Sequence, residues 1–345
     1  MRLGAGRGPG AARRPGGAGG RLAPRLRADP SRAADVKRLV IDTDPGVDDA
    51  LAILLAFAHA TTTVEAITVV AGNVSLDRTV ANACTVLDVL SVSPTATPIF
   101  RGCGRSLLGT RVEATSHGAD GLGDSHFPPS KRPIAREHAS LALVRFANES
   151  PGELTLVALG PLTNLAVALS LDPDLPRKYR RLVVMGGAVR ATGNMPDPST
   201  EFNAACDPEA AAIVLERWPG VTLVPWETVM QYRIGLERVR ELWAGRGARA
   251  QFVRKITGQK PRRVLEQFGL DGIFTADPLA MAVAVEPEIV TKSARHGVRV
   301  ELDGRHTRGQ TTVDWFDLGG EEPNVEVILE LNGDRFWELL KAAAG

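Results

Sequence analysis

Residues 40–53, VIDTDPGVDDALAI, carry the pattern that decides the fold: a buried strand, a tight turn and a helix in direct succession. The segment KRLVIDT (37–43) predicts the strand, Pro45 and Gly46 make the turn, and DDALAILLAFAH predicts the helix. This short unit contains four acids, Asp42, Asp44, Asp48 and Asp49. Like charges at such spacing raise one another's pKa or recruit a cation, so the unit predicts a metal site.

The ligands of this predicted site are oxygen atoms. No Cys or His lies within residues 40–53, which disfavours zinc and favours calcium or magnesium. A simpler interpretation covers part of the pattern, because acids in the first turn of a helix are favoured by the helix dipole. That interpretation accounts for Asp48 or Asp49, but it leaves the acids at the end of the strand unexplained.

Outside this unit, short apolar runs alternate with helical segments. Strands are predicted over residues 64–72, 153–160, 180–187 and 221–226, with helices between them, one over residues 79–90. Continuous apolar strands interleaved with helices indicate an α/β fold, an open and mostly parallel sheet covered by helices on both faces. Near the C-terminus, three further β-rich stretches are expected to be extra, peripheral strands: RVELD (299–303), TTVDW (311–315) and EVILEL (326–331).

Polar residues that follow the predicted strands are the candidates for binding, because open parallel sheets bind ligands beyond the carboxyl ends of their strands. Asn73 follows the second strand, and the loop of residues 193–211 contains Asn194, Glu201 and Asn203. The pattern of this loop fits a surface loop as well as a binding loop. Asp277 opens another apolar helix, where it fits a helix N-cap as well as a metal ligand.

The first 36 residues differ in composition from the rest. They are rich in Gly, Arg, Pro and Ala, and we expect them to be a disordered extension to a single domain over residues 37–345. We expect a cytoplasmic protein, because the N-terminus lacks the apolar core of a secretory signal. A mitochondrial location is the alternative, since Arg richness with few acids is typical of transit peptides.

Charge and cysteine usage exclude several classes of function. Residues 1–34 contain eight Arg and one acid, Asp29, so the rest of the chain has 33 Lys and Arg against 39 Asp and Glu. An acidic body disfavours nucleic acid as a partner and favours a cation or a small neutral substrate. The three Cys have no metal-binding spacing, and no apolar run reaches the ~18 residues that a membrane span needs.

Several motifs, in order along the chain, give a specific resemblance. From residue 37 to the C-terminus the sequence resembles the inosine–uridine nucleoside hydrolase family, whose N-terminal signature matches DTDPGVDDA (42–50). The other matching blocks are AGNVSL (71–76), HGADGLGD (117–124), LGPLTNLA (159–166), VVMGGAV (183–189), TEFNAACDPEAA (200–211), ADPLA (276–280) and TRGQTTVDW (307–315).

The resemblance implies an enzyme that hydrolyses the N-glycosidic bond of ribonucleosides to free base and ribose. It implies one calcium ion held by Asp44, Asp49, Asp277 and the backbone carbonyl of Leu159, with Asp44 also the base that activates a calcium-bound water. Asp42 is then a supporting acid beside the cluster. The residues implied to hold the sugar are Asp48, Asn73, Asn194, Glu201 and Asn203. Members are commonly dimers or tetramers, which implies a homodimer or homotetramer here.

One position departs from the family. Many members have His immediately before the acid that matches Asp277, as a candidate proton donor to the leaving base, and this chain has Ala276. His117 is the best replacement by its position in the HGADGLGD block. Alternatively, an aromatic ring stacks on the base, and Trp226 at the end of a predicted strand is a candidate, although ordinary packing also explains it.

Two other functions compete with this prediction. A strand ending in Asp-x-Asp is also typical of haloacid-dehalogenase-like phosphatases, but these have Thr or Val two residues after the second Asp, where this chain has Gly46. The other alternative, suggested by Ala276, is a catalytically weak protein that binds calcium or a nucleoside. The sequence does not predict which nucleobase is preferred.

Overall fold

The strands and helices of the computed structural model lie within residues 36–109, 114, 116–320 and 322–345, which are the residues that it describes. The strands are β1 (Lys37–Thr43), β2 (Thr62–Val69), β3 (Ile99–Arg101), β4 (Leu154–Ala158), β5 (Arg181–Met185), β6 (Val221–Val224), β7 (Val290–His296), β8 (Val298–Val300), β9 (Thr311–Val313) and β10 (Val325–Leu331). The helices are α1 (Val47–Ala58), α2 (Leu76–Val89), α3 (Ala139–Glu149), α4 (Thr163–Leu171), α5 (Leu175–Lys178), α6 (Phe202–Cys206), α7 (Pro208–Arg217), α8 (Trp226–Gln231), α9 (Leu236–Trp243), α10 (Ala248–Thr257), α11 (Lys260–Phe268), α12 (Ala276–Val285) and α13 (Gly333–Ala344).

Eight strands form one sheet in the order β3-β2-β1-β4-β5-β6-β10-β7. Every neighbouring pair is parallel except β10 and β7, which are antiparallel. The strands β8 and β9 form a separate antiparallel pair. The chain moves outward from β1 to β2 and β3, then returns to the other side of β1 with β4, so the order changes direction at β1.

Helices cover both faces of the sheet because its central strands are apolar on both sides. In β1, Leu39 and Ile41 belong to one buried core and Val40 belongs to the other. The first core also contains most of α1 and α12, whose apolar residues are buried nearly all round. A helix that is apolar on every side is stable only in such an interior position.

The predicted fold class is confirmed: a mostly parallel sheet with helices on both faces and additional strands near the C-terminus. One of the expected peripheral strands, β10, instead lies inside the main sheet, between β6 and β7. The helix predicted over residues 79–90 starts earlier, at Leu76. The strand predicted over residues 221–226 ends at Val224, so Trp226 begins α8 rather than ending a strand.

Residues Val36–Gly345 form one unit by their contacts. The expected disordered extension lies outside the described residues, apart from Val36. In the described part of the chain, no helix is long and apolar enough to cross a membrane.

The C-terminal helix α13 is part of the core, and this can be tested with a matched pair of phenylalanines. Phe336 in α13 is 1% exposed, whereas Phe316 is 82% exposed. We expect Phe336→Ala to lower the free energy of unfolding by about 3–5 kcal/mol, because it removes a buried ring and leaves a cavity. Phe316→Ala should change it by less than about 0.5 kcal/mol. Urea unfolding measures both, and equal effects would contradict this packing.

Candidate active site

The carboxyl ends of β1, β2 and β4 meet where the strand order changes direction, the place at which open α/β sheets bind ligands. Asp44 follows β1, Asn73 follows β2 and Leu159 follows β4. The topology therefore brings three predicted site residues from distant parts of the chain to one edge of the sheet.

The carboxylate of Asp44 lies in a slot between two glycines. A Cβ atom on Gly72 would come within 2.1 Å of its Oδ2, and a Cβ atom on Gly160 within 2.5 Å of its Oδ1. Oδ2 accepts a hydrogen bond from the backbone N–H of Asn73 at 2.6 Å. Among the described residues Oδ1 has no hydrogen-bond partner although it is buried. A buried carboxylate oxygen without a partner is costly unless a ligand binds it.

The first turn of α1 presents Asp49 to the same place. Thr43 Oγ1 donates to its Oδ1 at 2.5 Å, and the Gly46 N–H donates to its Oδ2 at 2.8 Å. The second bond satisfies a donor at the start of the helix that has no helical partner. Asn73 Nδ2 donates both to Asp49 Oδ2 and to the carbonyl of Asp44, each at 3.0 Å. Asn73 therefore ties the two acidic residues together.

The acids form a cluster that fits a divalent cation. Carboxylate oxygens of Asp48, Asp49 and Asp277 all lie within 4.8 Å of one another, and the three residues are buried. Burial raises the pKa of Asp44 and of Asp277 well above the usual range, and the charge of Asp49 raises both further. These groups ionise together only beside a positive charge, and all-oxygen ligands suit calcium or magnesium. The residues present could therefore hold such an ion.

The predicted ligand set and this close cluster differ in one member. The prediction contains Asp44, whereas the close cluster contains Asp48 in its place. Asp48 Oδ1 already has a cationic partner, Lys260 Nζ, at 2.8 Å, whereas Asp44 Oδ1 has no described partner. A buried oxygen without a partner is open to a ligand, whereas the Asp48 oxygen is already paired.

Lys260 is the main charged residue of the site that the sequence pattern does not reveal. It is the first residue of α11 and is 5% exposed. Burial opposes ionisation of Asp48, but the charge and the hydrogen bond of Lys260 lower the pKa of Asp48, and it lies below its usual range. Lys260 therefore favours the ionised form of Asp48.

His117 lies beside this pair and caps α1. Its Nδ1 accepts a hydrogen bond from the Val47 N–H at 3.0 Å and lies 3.3 Å from Asp48 Oδ1. Burial lowers the pKa of His117 to about 4, although Asp48 opposes the shift. A neutral ring that accepts at Nδ1 carries its proton on Nε2. The environment thus disfavours a cationic acid at this position and leaves Nε2–H as a hydrogen-bond donor.

A cavity of about 290 Å³ opens beside the acidic cluster, and its size suits a small molecule. Nine predicted site residues line it: Asp48, Asn73, His117, Leu159, Asn194, Glu201, Asn203, Trp226 and Asp277. Asp44 and Asp49 are not in the cavity wall, and Asn73 connects them to it. The structure therefore brings all of the predicted site residues together.

The two asparagines of the cavity wall use their N–H groups within the protein. Asn203 Nδ2 donates to the carbonyls of Leu159 at 2.8 Å and Met185 at 3.2 Å. Asn73 Nδ2 is likewise engaged twice. Each side chain therefore keeps its Oδ1 as an acceptor for a ligand. The Leu159 carbonyl has a second lone pair, so its bond to Asn203 still allows it to bind a metal ion.

Glu201 and Asn194 complete the polar wall. Glu201 Oε2 accepts hydrogen bonds from the N–H groups of Gly187 at 2.9 Å and Asn203 at 3.0 Å, while burial raises the pKa of Glu201 to about 7. Asn194 Oδ1 accepts from the Phe202 N–H at 2.8 Å, which leaves its Nδ2 for a ligand. The wall thus offers mainly acceptors, which suit a ligand that is rich in hydroxyl groups.

Aromatic rings form another part of the cavity wall. Trp226 contacts Phe274 with 4.9 Å between ring centroids and Phe268 with 6.1 Å. The indole Nε1 of Trp226 has no described hydrogen-bond partner. Ala276 also lines the cavity and provides no proton donor there. This apolar part of the wall suits a flat heterocycle.

Asp42 lies apart from the cavity and supports the cluster from within the sheet. Its Oδ1 accepts hydrogen bonds from Thr68 Oγ1 at 2.6 Å and from Asn164 Nδ2 at 2.8 Å, and burial raises its pKa to about 7. Asn164 Oδ1 also accepts from the Cys103 N–H at 2.8 Å, so Asn164 connects the start of α4 and the loop of Cys103 to β1. Its place in the LGPLTNLA block is the signal that could have identified it.

Comparison with known proteins agrees with this geometry. The model of the family described as inosine-uridine preferring nucleoside hydrolase matches residues 39–338. A probable uridine nucleosidase 2 from Arabidopsis thaliana is 36% identical over 322 residues, covering 89% of this chain and 97% of that protein. A solved plant nucleoside hydrolase, PpNRh1, superposes with a TM-score of 0.84 at 32% identity, covering 90% of this chain and 99% of that one. A solved inosine-guanosine nucleoside hydrolase superposes with a TM-score of 0.82 at 34% identity, covering 89% of this chain and 98% of that one.

Fold and site together define an α/β protein with a buried acidic cluster beside a small-molecule cavity. The chain belongs to the inosine–uridine preferring nucleoside hydrolase family. The predicted family and the enzyme class, N-glycosyl hydrolase, are confirmed, and the phosphatase alternative is set aside. The compartment and the homodimer or homotetramer stay predictions.

The glycine slot around Asp44 predicts a strong effect of one methyl group. We expect Gly160→Ala to displace the carboxylate and to weaken calcium binding by about tenfold or more, since a loss of ~1.4 kcal/mol suffices for that. Gly247→Ala is the control, because a Cβ atom there meets nothing within 4 Å. Isothermal titration calorimetry measures both affinities. An unchanged affinity in Gly160→Ala would show that the slot does not position Asp44.

Proposed function

We propose that this enzyme hydrolyses the N-glycosidic bond of ribonucleosides to free base and ribose. The observation that carries the proposal is the buried acidic cluster beside a cavity whose wall combines hydrogen-bond acceptors with aromatic rings. Acceptors suit ribose hydroxyls, and the rings suit a nucleobase. Membership of the family supports the same reaction.

The proposed cofactor is one calcium ion. Carboxylates of Asp44, Asp49 and Asp277 and the carbonyl of Leu159 would hold it, in keeping with the all-oxygen character of the cluster. When bound, calcium supplies a positive charge that makes water more acidic and attracts the ribose hydroxyls.

Asp44 is the proposed general base. Its Oδ1 has no described partner, and burial with the charge of Asp49 raises its proton affinity. It accepts one proton as the oxygen of water bonds to the anomeric carbon. The C–N bond breaks, and its electron pair leaves with the base nitrogen.

The sugar is held by side chains that are already fixed by the protein. Asn73 and Asn203 offer their Oδ1 atoms, Glu201 offers Oε1, and Asp48 and Asn194 complete the set. Bond cleavage develops positive charge on the ribose, and preorganised oxygen atoms stabilise that charge without rearrangement. Removing any one of these side chains should therefore raise KM for the nucleoside or lower kcat while the protein stays folded.

Many family members have a proton donor for the leaving base at the position of Ala276, and alanine has no proton to donate. We propose that His117 acts there as a neutral hydrogen-bond donor through Nε2–H and stabilises the departing base without transferring the proton, because its Nδ1 accepts from Val47 and its lowered pKa disfavours the cation. We propose that Trp226, together with Phe274, contacts the face of the base.

The decisive test is a panel of nucleosides. The protein is incubated with inosine, uridine, cytidine and adenosine, in calcium and after chelation with EGTA, and free ribose is measured. We expect ribose from at least one nucleoside in calcium and a strong loss after chelation. If no nucleoside yields ribose while calorimetry still detects nucleoside binding, the protein is the weakly catalytic binding protein that Ala276 suggested.

Replacement of Asp44 by asparagine tests whether this residue is the general base. We expect Asp44→Asn to lower kcat by about 10²–10⁴-fold, because the amide keeps the shape but accepts no proton from water. Asp334→Asn is the control, since the Asp334 side chain is 93% exposed. Steady-state kinetics with the best nucleoside measures both, and near-normal turnover of Asp44→Asn excludes Asp44 as the base.

A further inference from the structure

Lys260 places a positive charge inside the acidic site. Its Nζ lies 2.8 Å from Asp48 Oδ1, across 212 residues of sequence, and the two side chains are 6% and 11% exposed. In the part of the chain that the structure describes, no Lys or Arg forms an ion pair with Asp44, Asp49 or Asp277. Lys260 therefore pairs directly with Asp48 alone among the four described acids of the site, although its charge also favours ionisation of Asp277.

The position of Lys260 is unfavourable by local rules. A lysine at the first position of a helix faces the positive end of the helix dipole, and burial adds the cost of desolvating its charge. The other basic residues of α11 avoid that burial: Arg262 lies in solvent beside Glu266, and Arg263 pairs with Asp124. Residues that break local rules and are compensated by one specific partner are typical of functional sites.

That partner, Asp48, has two possible roles. Its carboxylate is close enough to Asp49 and Asp277 to be a metal ligand. Its Oδ1, however, faces both Lys260 at 2.8 Å and His117 at 3.3 Å. A bound ammonium competes with a metal ion for the same oxygen and also repels the ion.

We propose that Lys260 is a positioning residue that keeps Asp48 out of the metal shell and holds it toward the sugar. The inference rests on the proposed function, from which it takes the metal ion and the sugar contact. Lys260 acts through Asp48. Its loss therefore has two opposite consequences, because an Asp48 freed from Lys260 strengthens metal binding and loses its orientation toward the ribose.

Calcium titration of Lys260→Met tests the proposal without any turnover. We expect calcium to bind about tenfold tighter than in the wild type, which corresponds to ~1.4 kcal/mol. General damage to the site would weaken binding, so tighter binding distinguishes positioning from a structural role. Arg262→Met is the matched control on the same helix, since its side chain is 76% exposed, and its calcium affinity should equal the wild-type value. Equal or weaker calcium binding by Lys260→Met overturns the proposal.

Two further variants keep the test decisive if Lys260→Met folds poorly. Lys260→Arg retains the charge, so its calcium affinity should stay within about threefold of the wild type. In the wild-type background, Asp48→Asn should change calcium affinity by less than about threefold, whereas Asp49→Asn should weaken it by about a hundredfold or more. If Asp48→Asn weakens calcium binding as much as Asp49→Asn, Asp48 is a metal ligand and the proposal is wrong.

Steady-state kinetics gives the second half of the test. We expect Lys260→Met to raise KM for the nucleoside by about tenfold with a smaller change in kcat, because sugar contact is lost while Asp44 is unaffected. The double variant Asp48→Asn with Lys260→Met should lose the gain in calcium affinity. If the wild type releases no ribose, the proposed hydrolysis fails, but the calcium titrations still decide the role of Lys260.

Discussion

Repulsion among buried carboxylates is the constraint on which this site depends. Burial raises the pKa of Asp44, Asp49 and Asp277; the charge of Asp49 raises the pKa of the other two further, and the charge of Asp48 raises that of Asp49. The surroundings hold them in place nonetheless: glycines leave only enough room for the carboxylate of Asp44, and the start of α1 binds that of Asp49. Such an arrangement costs stability unless a cation joins it, so the cluster could bind a metal ion.

Hydrogen bonds within the protein also fix the side chains of the cavity wall. The side-chain N–H groups of Asn73 and Asn203 donate hydrogen bonds within the protein, which fixes their orientation and leaves the side-chain oxygens as acceptors for a ligand. A ligand with several hydroxyl groups then finds its hydrogen-bond partners already in position, so little conformational entropy of the side chains is lost on binding. Trp226 and its aromatic neighbours give the opposite character to another part of the wall. One part of the cavity wall is thus polar and another is apolar, which fits the proposed positions of the sugar and the base.

The sequence predicted the parts of this site that short segments encode. The strand-turn-helix unit of residues 40–53 and the order of the blocks that match the family were enough to predict the fold class, the family and the residues that meet at the sheet edge. It did not predict the place of β10, because pairing within a sheet depends on partners far along the chain. Lys260 was missed for the same reason: its partner is 212 residues away. Its spacing from Val264 and Phe268 on one helix face is the weak signal that was available.

The most direct test of this account is a crystal structure of the wild-type protein grown with calcium. We expect one ion about 2.3–2.6 Å from oxygens of Asp44, Asp49, Asp277 and the Leu159 carbonyl. Asp48 should remain on Lys260 and outside the metal shell. A cluster that binds no ion, or an ion held by Asp48 in place of Asp44, would contradict the account.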